Sequence, residues 1–296
     1  MRVARVGRVI GEGERMRKLL ALGAALAAAL AFGIVPASAI TDGVPDLSGH
    51  PYVGIMVAKG TDGNPLWRCS GTLMSPTVFL TAGHCTEAPA ASIVVWFDSG
   101  YPNPIPLAPG YPAAGANRCA GIVGYPCTGN ATGTPHTHPL YNPAAFYLHD
   151  AGIVTLNTPV VKSTYGALPH ANQLDDLKTK RGQQDVTFTA VGYGLQQAFP
   201  DAAAWKDVAI RTRMVAYPKL NQINGGIVAD FALLLSNNAS TGGTCFGDSG
   251  GPNFLGTSNV VAGITSFGRN DTCAGTGGVF RVDRQNVLDF INDYLD

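Results

Sequence analysis

The residues best suited to covalent chemistry lie near the C-terminus, in Gly247-Asp248-Ser249-Gly250-Gly251-Pro252. A stretch so rich in glycine makes a poor core strand and a good tight loop, whose backbone N–H groups can converge on one point. A serine hydroxyl beside such a cradle suits acyl transfer, because negative charge develops on the carbonyl oxygen as the nucleophile attacks. A hydroxyl is a weak nucleophile at neutral pH, so a base must take its proton. His84 is the candidate. It sits in Thr81-Ala82-Gly83-His84-Cys85, directly after the apolar Val78, Phe79 and Leu80, where small residues let a turn present the imidazole. With an ordinary imidazole, activity would rise at roughly pH 6–7 as the base deprotonates.

These two segments resemble the signature motifs of the chymotrypsin/trypsin family of serine endopeptidases. His149-Asp150-Ala151-Gly152-Ile153-Val154-Thr155-Leu156 is similar to the family's third motif, an aspartate followed by an apolar strand. The order His, Asp, Ser is also the one the family uses. The resemblance covers most of the chain after residue 39 and implies a secreted, bacterial member acting on polypeptides. In it Ser249 attacks the scissile carbonyl, His84 accepts the proton and returns it to the leaving amine, and Asp150 fixes the tautomer and stabilises the charged ring. The N–H groups of Gly247 and Ser249 are the implied oxyanion donors, each worth about 3–4 kcal/mol of barrier in comparable sites. Neither cofactor nor metal is expected.

The resemblance extends to substrate contacts. Ser266-Phe267-Gly268 looks like the family's edge segment, which pairs with an extended substrate by strand addition. The floor of the side-chain cavity falls at Gly243, six residues before the serine, with Thr244 beside it and Gly268 and Gly278 as walls. Without a carboxylate at 243 a cationic side chain would lack its partner, and two wall glycines leave room. A preference for bulky apolar or aromatic residues is expected. A freed Ile40 amino group would pair with Asp248, since Ile40-Thr41-Asp42-Gly43 loosely resembles the family's activated terminus. Cys69–Cys85 would tether the histidine turn, and Cys245–Cys273 would clamp the nucleophile loop to the cavity wall.

The elements that must position these residues follow a leader. Met16-Arg17-Lys18 is a cationic head, 19–35 is an apolar run, and Ala37-Ser38-Ala39 is a small-x-small cleavage site, the pattern of a secretory signal peptide ending at residue 39. The 20 basic and 20 acidic residues balance, and the leader holds more basic than acidic residues. The remaining chain is mildly acidic, which argues against nucleic acid or an anionic membrane surface as partner. Six cysteines in an exported chain read as disulfides rather than metal ligands. A monomer is expected, with protein protease inhibitors as further partners.

From residue 40 the chain reads as short strands broken by Gly, Pro and Asn. Strands are expected near 52–57, 71–74, 78–81, 93–97 and 153–156, then near 186–191, 205–217, 226–235, 260–267 and 278–282. Residues 98–142 read as one long loop, stapled by Cys119–Cys127 and placed before Asp150, where it could shape the substrate cleft. Val287, Leu288, Ile291, Tyr294 and Leu295 recur at helical spacing. The expected fold is all-β: two antiparallel six-stranded barrels at about 40–160 and 161–282, with a helix over 283–296.

Three other readings compete. A protease-like binding or adhesion protein would keep the fold and lose activity, which normally requires a missing catalytic residue, and His84, Asp150 and Ser249 are all present. An esterase using the same residues is disfavoured because the serine motif lacks the strand–turn–helix context of the α/β-hydrolases. A zinc site at His136, His138 and His149 lacks a carboxylate at helical spacing. Asn130, Asn238 and Asn270 each head a glycosylation-type triplet.

Overall fold

The computed structural model describes residues 40–177, 185–196 and 210–295. The leader expected over 1–39 lies outside them, as does the 205–209 part of one expected strand. None of the described helices is long and apolar enough to cross a membrane.

The first half is a closed antiparallel barrel of β2 (Val53–Lys59), β3 (Pro65–Leu73), β4 (Val78–Thr81), β5 (Ser92–Trp96), β6 (Ala131–Thr137) and β7 (Gly152–Leu156), in the order β2-β3-β4-β7-β6-β5. Alternate residues fill its interior, among them Met56, Leu73, Phe79, Ile93, Val95 and Ile153. The outward set of β2 and β5 is apolar as well, because Ile105 and Tyr125 of the long connection and Tyr193 cover Ile55, Val57, Val94 and Trp96. The stretch expected as one loop over 98–142 therefore divides. Its first part, stapled by Cys119–Cys127, packs on the outside of the barrel, and its second part contains β6, which pairs with both β5 and β7 and closes the barrel. Glycine, proline and threonine in Ala131–Thr137 conceal this strand in the sequence; its partners on both sides make it one.

The second half is an eight-stranded antiparallel sheet where a six-stranded barrel was expected. Its strands are β1 (Val44–Pro45), β8 (Phe188–Gly192), β9 (Met214–Ala216), β10 (Leu220–Gln222), β11 (Ala232–Asn237), β12 (Pro252–Leu255), β13 (Val261–Gly268) and β14 (Gly275–Arg281), in the order β1-β9-β8-β12-β13-β14-β11-β10. The N-terminal segment crosses to this sheet: β1 pairs with β9, and Thr41 bridges Gly243. The strand expected over 226–235 begins late, since 226–228 form a 3-10 turn. The chain ends in a helix, Gln285–Leu295, with Val287, Leu288, Phe290 and Ile291 buried.

One buried ion pair joins the halves. Arg213 Nε donates to Asp46 Oδ2 at 2.7 Å, and its other nitrogens donate to the carbonyls of Leu47, Val53 and Phe97. Both partners are almost fully buried, and the guanidinium is hydrogen-bonded all round, which such burial requires.

Candidate active site

Gly83–Thr86 is one helical turn immediately after β4, and it carries His84. Gly83 is required there, because a Cβ would press on the Tyr141 ring and the Ala151 backbone. The turn is held by the Cys69–Cys85 disulfide, by Trp67 Nε1 donating to the Cys85 carbonyl at 3.0 Å, and by Thr86 Oγ1 donating to the Gly83 carbonyl. Asp150 lies in a tight turn just before β7, where His149 takes φ 55° and accepts from the Ala151 N–H. The Asp150 side chain is wholly buried.

These two turns meet. His84 Nδ1 lies 3.0 Å from Asp150 Oδ2 and 3.1 Å from Oδ1, and the His84 backbone N–H donates to Oδ1 at 2.9 Å. The Ser266 hydroxyl donates to Oδ2 at 2.5 Å. With Nδ1 turned to a carboxylate, the proton of the neutral ring belongs on Nδ1, and Nε2 is free to accept one. Burial works against the imidazolium, but the Asp150 charge and hydrogen bond, with a further contribution from Glu87, outweigh it and hold the His84 pKa above the ordinary value.

The loop that carries Ser249 docks on the first barrel. Ser70 of β3 accepts the Tyr193 N–H, donates its hydroxyl to the Gly247 carbonyl at 3.0 Å, and donates its backbone N–H to the Ser249 carbonyl at 2.8 Å. Gly250 has φ 77°, and a Cβ there would collide with the Thr81 hydroxyl and the backbone of Ser70 and Ala82. Within the loop the amides of Asp248, Gly250 and Gly251 donate to the carbonyls of Cys245, Thr265 and Asp248. The Gly247 and Ser249 amides, the two expected as oxyanion donors, donate to none of the described residues.

Asp248 is fully buried and its carboxylate accepts the N–H of Gly194 at 2.7 Å and of Cys245 at 2.9 Å. Burial pushes its pKa up to about 7 against these hydrogen bonds. Ile40 is also fully buried, among Ala190, Met214 and Ala216, but its nitrogen is an amide in this chain, so no ion pair with Asp248 forms here.

A cavity of about 580 Å³ opens over this assembly, with His84 and Ser249 both in its lining. No hydrogen bond joins these two among the described residues; catalytic contacts of this kind often tighten only when substrate binds. Of the residues expected to contact substrate, Thr244, Ser266, Phe267 and Gly268 line the cavity, and Gly243 and Gly278 are not among its lining residues. A Cβ at 243 would run into the Asn237 side chain, and one at 278 into the Phe267 ring. Tyr141, Pro143, Phe146 and Phe246 complete the apolar lining, and Phe146 meets His84 edge-on at 5.9 Å. Of the loop expected over 98–142 to influence the cleft, Tyr141 belongs to this lining, whereas residues 98–130 do not. Ser70 was not visible as a site residue in the sequence, since only tertiary contacts distinguish a buried serine from any other.

The histidines considered for zinc serve other contacts. His138 stacks on His149 at 5.2 Å, and His136 Nε2 lies 2.9 Å from Thr155 Oγ1. The one group of three ligand-type side chains among the described residues is Cys69, His84 and Cys85, whose sulfurs are bonded to each other. The third disulfide, Cys245–Cys273, ties the nucleophile loop to the segment before β14.

A closed six-stranded barrel, a second antiparallel sheet, a terminal helix and a histidine–aspartate pair beside a serine loop define a chymotrypsin-like fold. The sequence model of the trypsin family matches residues 128–291, and the chain belongs to that family. Among solved structures, HL collagenase is 20% identical over 86% of this chain and 98% of its own, with a TM-score of 0.62. Human heparin binding protein is 16% identical over 86% of this chain and 94% of its own, with a TM-score of 0.54. At such identities these two likenesses speak for the fold alone.

Proposed function

We infer that the chain is a secreted serine endopeptidase working through Ser249, His84 and Asp150 and an acyl-enzyme intermediate. The observation that carries this reading is the buried Asp150 carboxylate on His84 Nδ1, in the wall of a cavity that also holds Ser249. Nε2 takes the Ser249 proton as Oγ attacks, and the Asp150 charge favours the imidazolium that forms. The unspent amides of Gly247 and Ser249 receive the oxyanion, at no reorganisation cost because the loop is already fixed by Ser70 and Cys245. The proton then passes from Nε2 to the leaving amine.

The lining supports a bulky apolar or aromatic side chain before the scissile bond. Phe146, Phe246 and Phe267 give the cavity an apolar lining and position 243 carries no carboxylate, while Glu87, Arg269 and Asp271 also belong to the lining. Profiling a diverse peptide library should give dominant cleavage after Phe, Tyr, Leu or Met, and dominance of Arg or Lys would refute this. Export is supported by the leader pattern and by three disulfides. Cleavage after residue 39 would free the Ile40 amine, which by the family resemblance would pair with the buried Asp248; adding one residue before Ile40 should then depress activity, and unchanged activity would sink that part.

A protease-like binding protein is the second reading, because the fold, which human heparin binding protein also has, does not by itself decide turnover. The two are separated by hydrolysis: casein or ester turnover that disappears in Ser249→Ala supports the enzyme, and its absence in the mature, oxidised chain supports the binder.

A further inference from the structure

Asp150 owes its place to a turn that its neighbour would not adopt unaided. His149 has φ 55°, a left-handed conformation that glycine takes freely and a residue with a Cβ does not. Such a conformation persists only where the surroundings hold it. The backbone supplies part of the hold: the Ala151 N–H donates to the His149 carbonyl at 2.8 Å, and the His138 N–H, just past β6, donates to the Ala151 carbonyl at 3.0 Å. The His149 ring supplies the rest. It lies flat on the His138 ring, 15° from parallel with centroids 5.2 Å apart, and its Nδ1 accepts from Asn286 Nδ2 at 3.1 Å.

Asn286 belongs to the terminal helix and engages both imidazoles. Its side-chain amide donates to His149, and its backbone carbonyl accepts from His138 Nε2 at 3.4 Å. His138 is almost fully buried, accepts the Leu140 N–H on Nδ1 at 3.1 Å and meets the Phe290 ring edge-on at 5.0 Å. With Nδ1 of each ring accepting, both rings are neutral and carry their proton on Nε2. Burial, with the neighbouring His149, holds the His138 pKa below its ordinary value against the Asn286 hydrogen bond. The Asp150 carboxylate meanwhile takes the His84 ring, the His84 N–H and the Ser266 hydroxyl. Those bonds aim the carboxylate, and they leave the backbone at 149 to the contacts above. A ring at 149 released from Asn286 lets the left-handed residue relax, and Asp150 shifts with it because one planar peptide joins the two.

We propose that Asn286 is a positioning residue for catalysis, binding His149 and His138 together and so locking the left-handed turn that holds Asp150 on His84. This rests on the endopeptidase reading of the site. It makes the terminal helix a support of the catalytic carboxylate, although none of the residues 285–295 lines the cavity.

The test is a double-mutant cycle over Asn286→Ala, His149→Asn and both together. Asparagine suits 149 because it tolerates the left-handed conformation, and alanine suits 286 because it is the better helix former and keeps the helix. Turnover of a Phe peptide is read beside two measurements that need no turnover: the melting temperature, and the proton resonance of His84 Nδ1–H, whose position reports the hydrogen bond to Asp150. Asn286→Ala should lower kcat roughly fivefold with KM within about twofold, and should shift and broaden that resonance. In the His149→Asn background the same change should lower kcat by less than about twofold more, because the contact it breaks is already gone. An unaltered kcat and resonance in Asn286→Ala, whatever the melting temperature does, would reduce Asn286 to a helix-docking contact and overturn the proposal. Single effects that multiply in the double variant would overturn it as well. If the unmutated chain shows no turnover, the endopeptidase reading fails, and the resonance measured across the cycle still decides whether Asn286 holds Asp150.

Discussion

The two halves hold their share of the site in different ways. His84 and Asp150 stand on turns at the ends of β4 and β7, neighbouring strands of a closed barrel whose register runs from Val78↔Thr155 to Thr81↔Gly152. Strand pairing brings their turns together, and the Cys69–Cys85 disulfide and Trp67 then hold the histidine turn. Ser249 stands on a loop of the other sheet, and that loop is held by individual contacts: the Cys245–Cys273 disulfide, the Asp248 carboxylate on two amides, and Ser70 reaching across from the barrel. A closed barrel positions by topology, and an open loop must be positioned residue by residue. Substitutions in the first half should therefore strike chemistry with the fold intact, whereas substitutions around the loop should cost stability and activity together.

The largest expected effect lies on the barrel side. Asp150→Asn keeps the shape but loses the carboxylate that fixes the Nδ1–H tautomer, so kcat should fall by about 10⁴ with the melting temperature nearly unchanged. A fall in kcat matched by unfolding would break the contrast. Next comes Gly250→Ala, which adds a Cβ at positive φ against β3 and β4; it should cost about 2–4 kcal/mol in thermal unfolding and slow Ser249 labelling as well. Ser70→Ala is milder. It strips one partner each from the Tyr193 N–H and the Gly247 carbonyl, costing about 1–3 kcal/mol, and should lower kcat more than it raises KM.

How much of this was legible in the sequence follows the same division. His84, Asp150 and Ser249 could be read because each lies in a short motif whose glycines and flanking strands are local. The three disulfide pairings were expected on resemblance and on position in the long loop, and the structure has them. Ala131–Thr137 could not be read as a strand, since its propensity is poor and only the pairing with β5 and β7 creates it. Val44–Pro45 is too short to signal anything and belongs to the second sheet only because Met214 and Val215 lie opposite.

Ionisation sharpens the comparison further. The raised His84 pKa moves the onset of activity above that of an ordinary imidazole, and Asp150→Asn should bring the residual onset down; an onset unaltered by the substitution would remove Asp150 as the cause. Asp248 acts on stability. Burial lifts its folded pKa above the ordinary carboxylate value to about 7, so its contribution is fully present below the ordinary value and is lost as pH rises toward about 7. A chain with a free Ile40 amine should lose less stability over that window than one extended by a residue. Equal losses would show that the amine does not reach the carboxylate.

The smallest effect is expected far from the cleft. Replacing Cys119 and Cys127 by serine should lower the melting temperature by loosening the cover over Ile55 and Trp96, and leave cleavage preference as it was. A changed preference would tie the 98–130 segment to substrate after all.

The central claim is tested most directly by phosphonylation of the mature, oxidised protein, read as a mass shift on the peptide containing Ser249, alongside casein hydrolysis. The account predicts stoichiometric modification at Ser249 with loss of hydrolysis, and neither modification nor hydrolysis in Ser249→Ala. Hydrolysis that survives Ser249→Ala, or a native protein that neither labels nor hydrolyses, would contradict it.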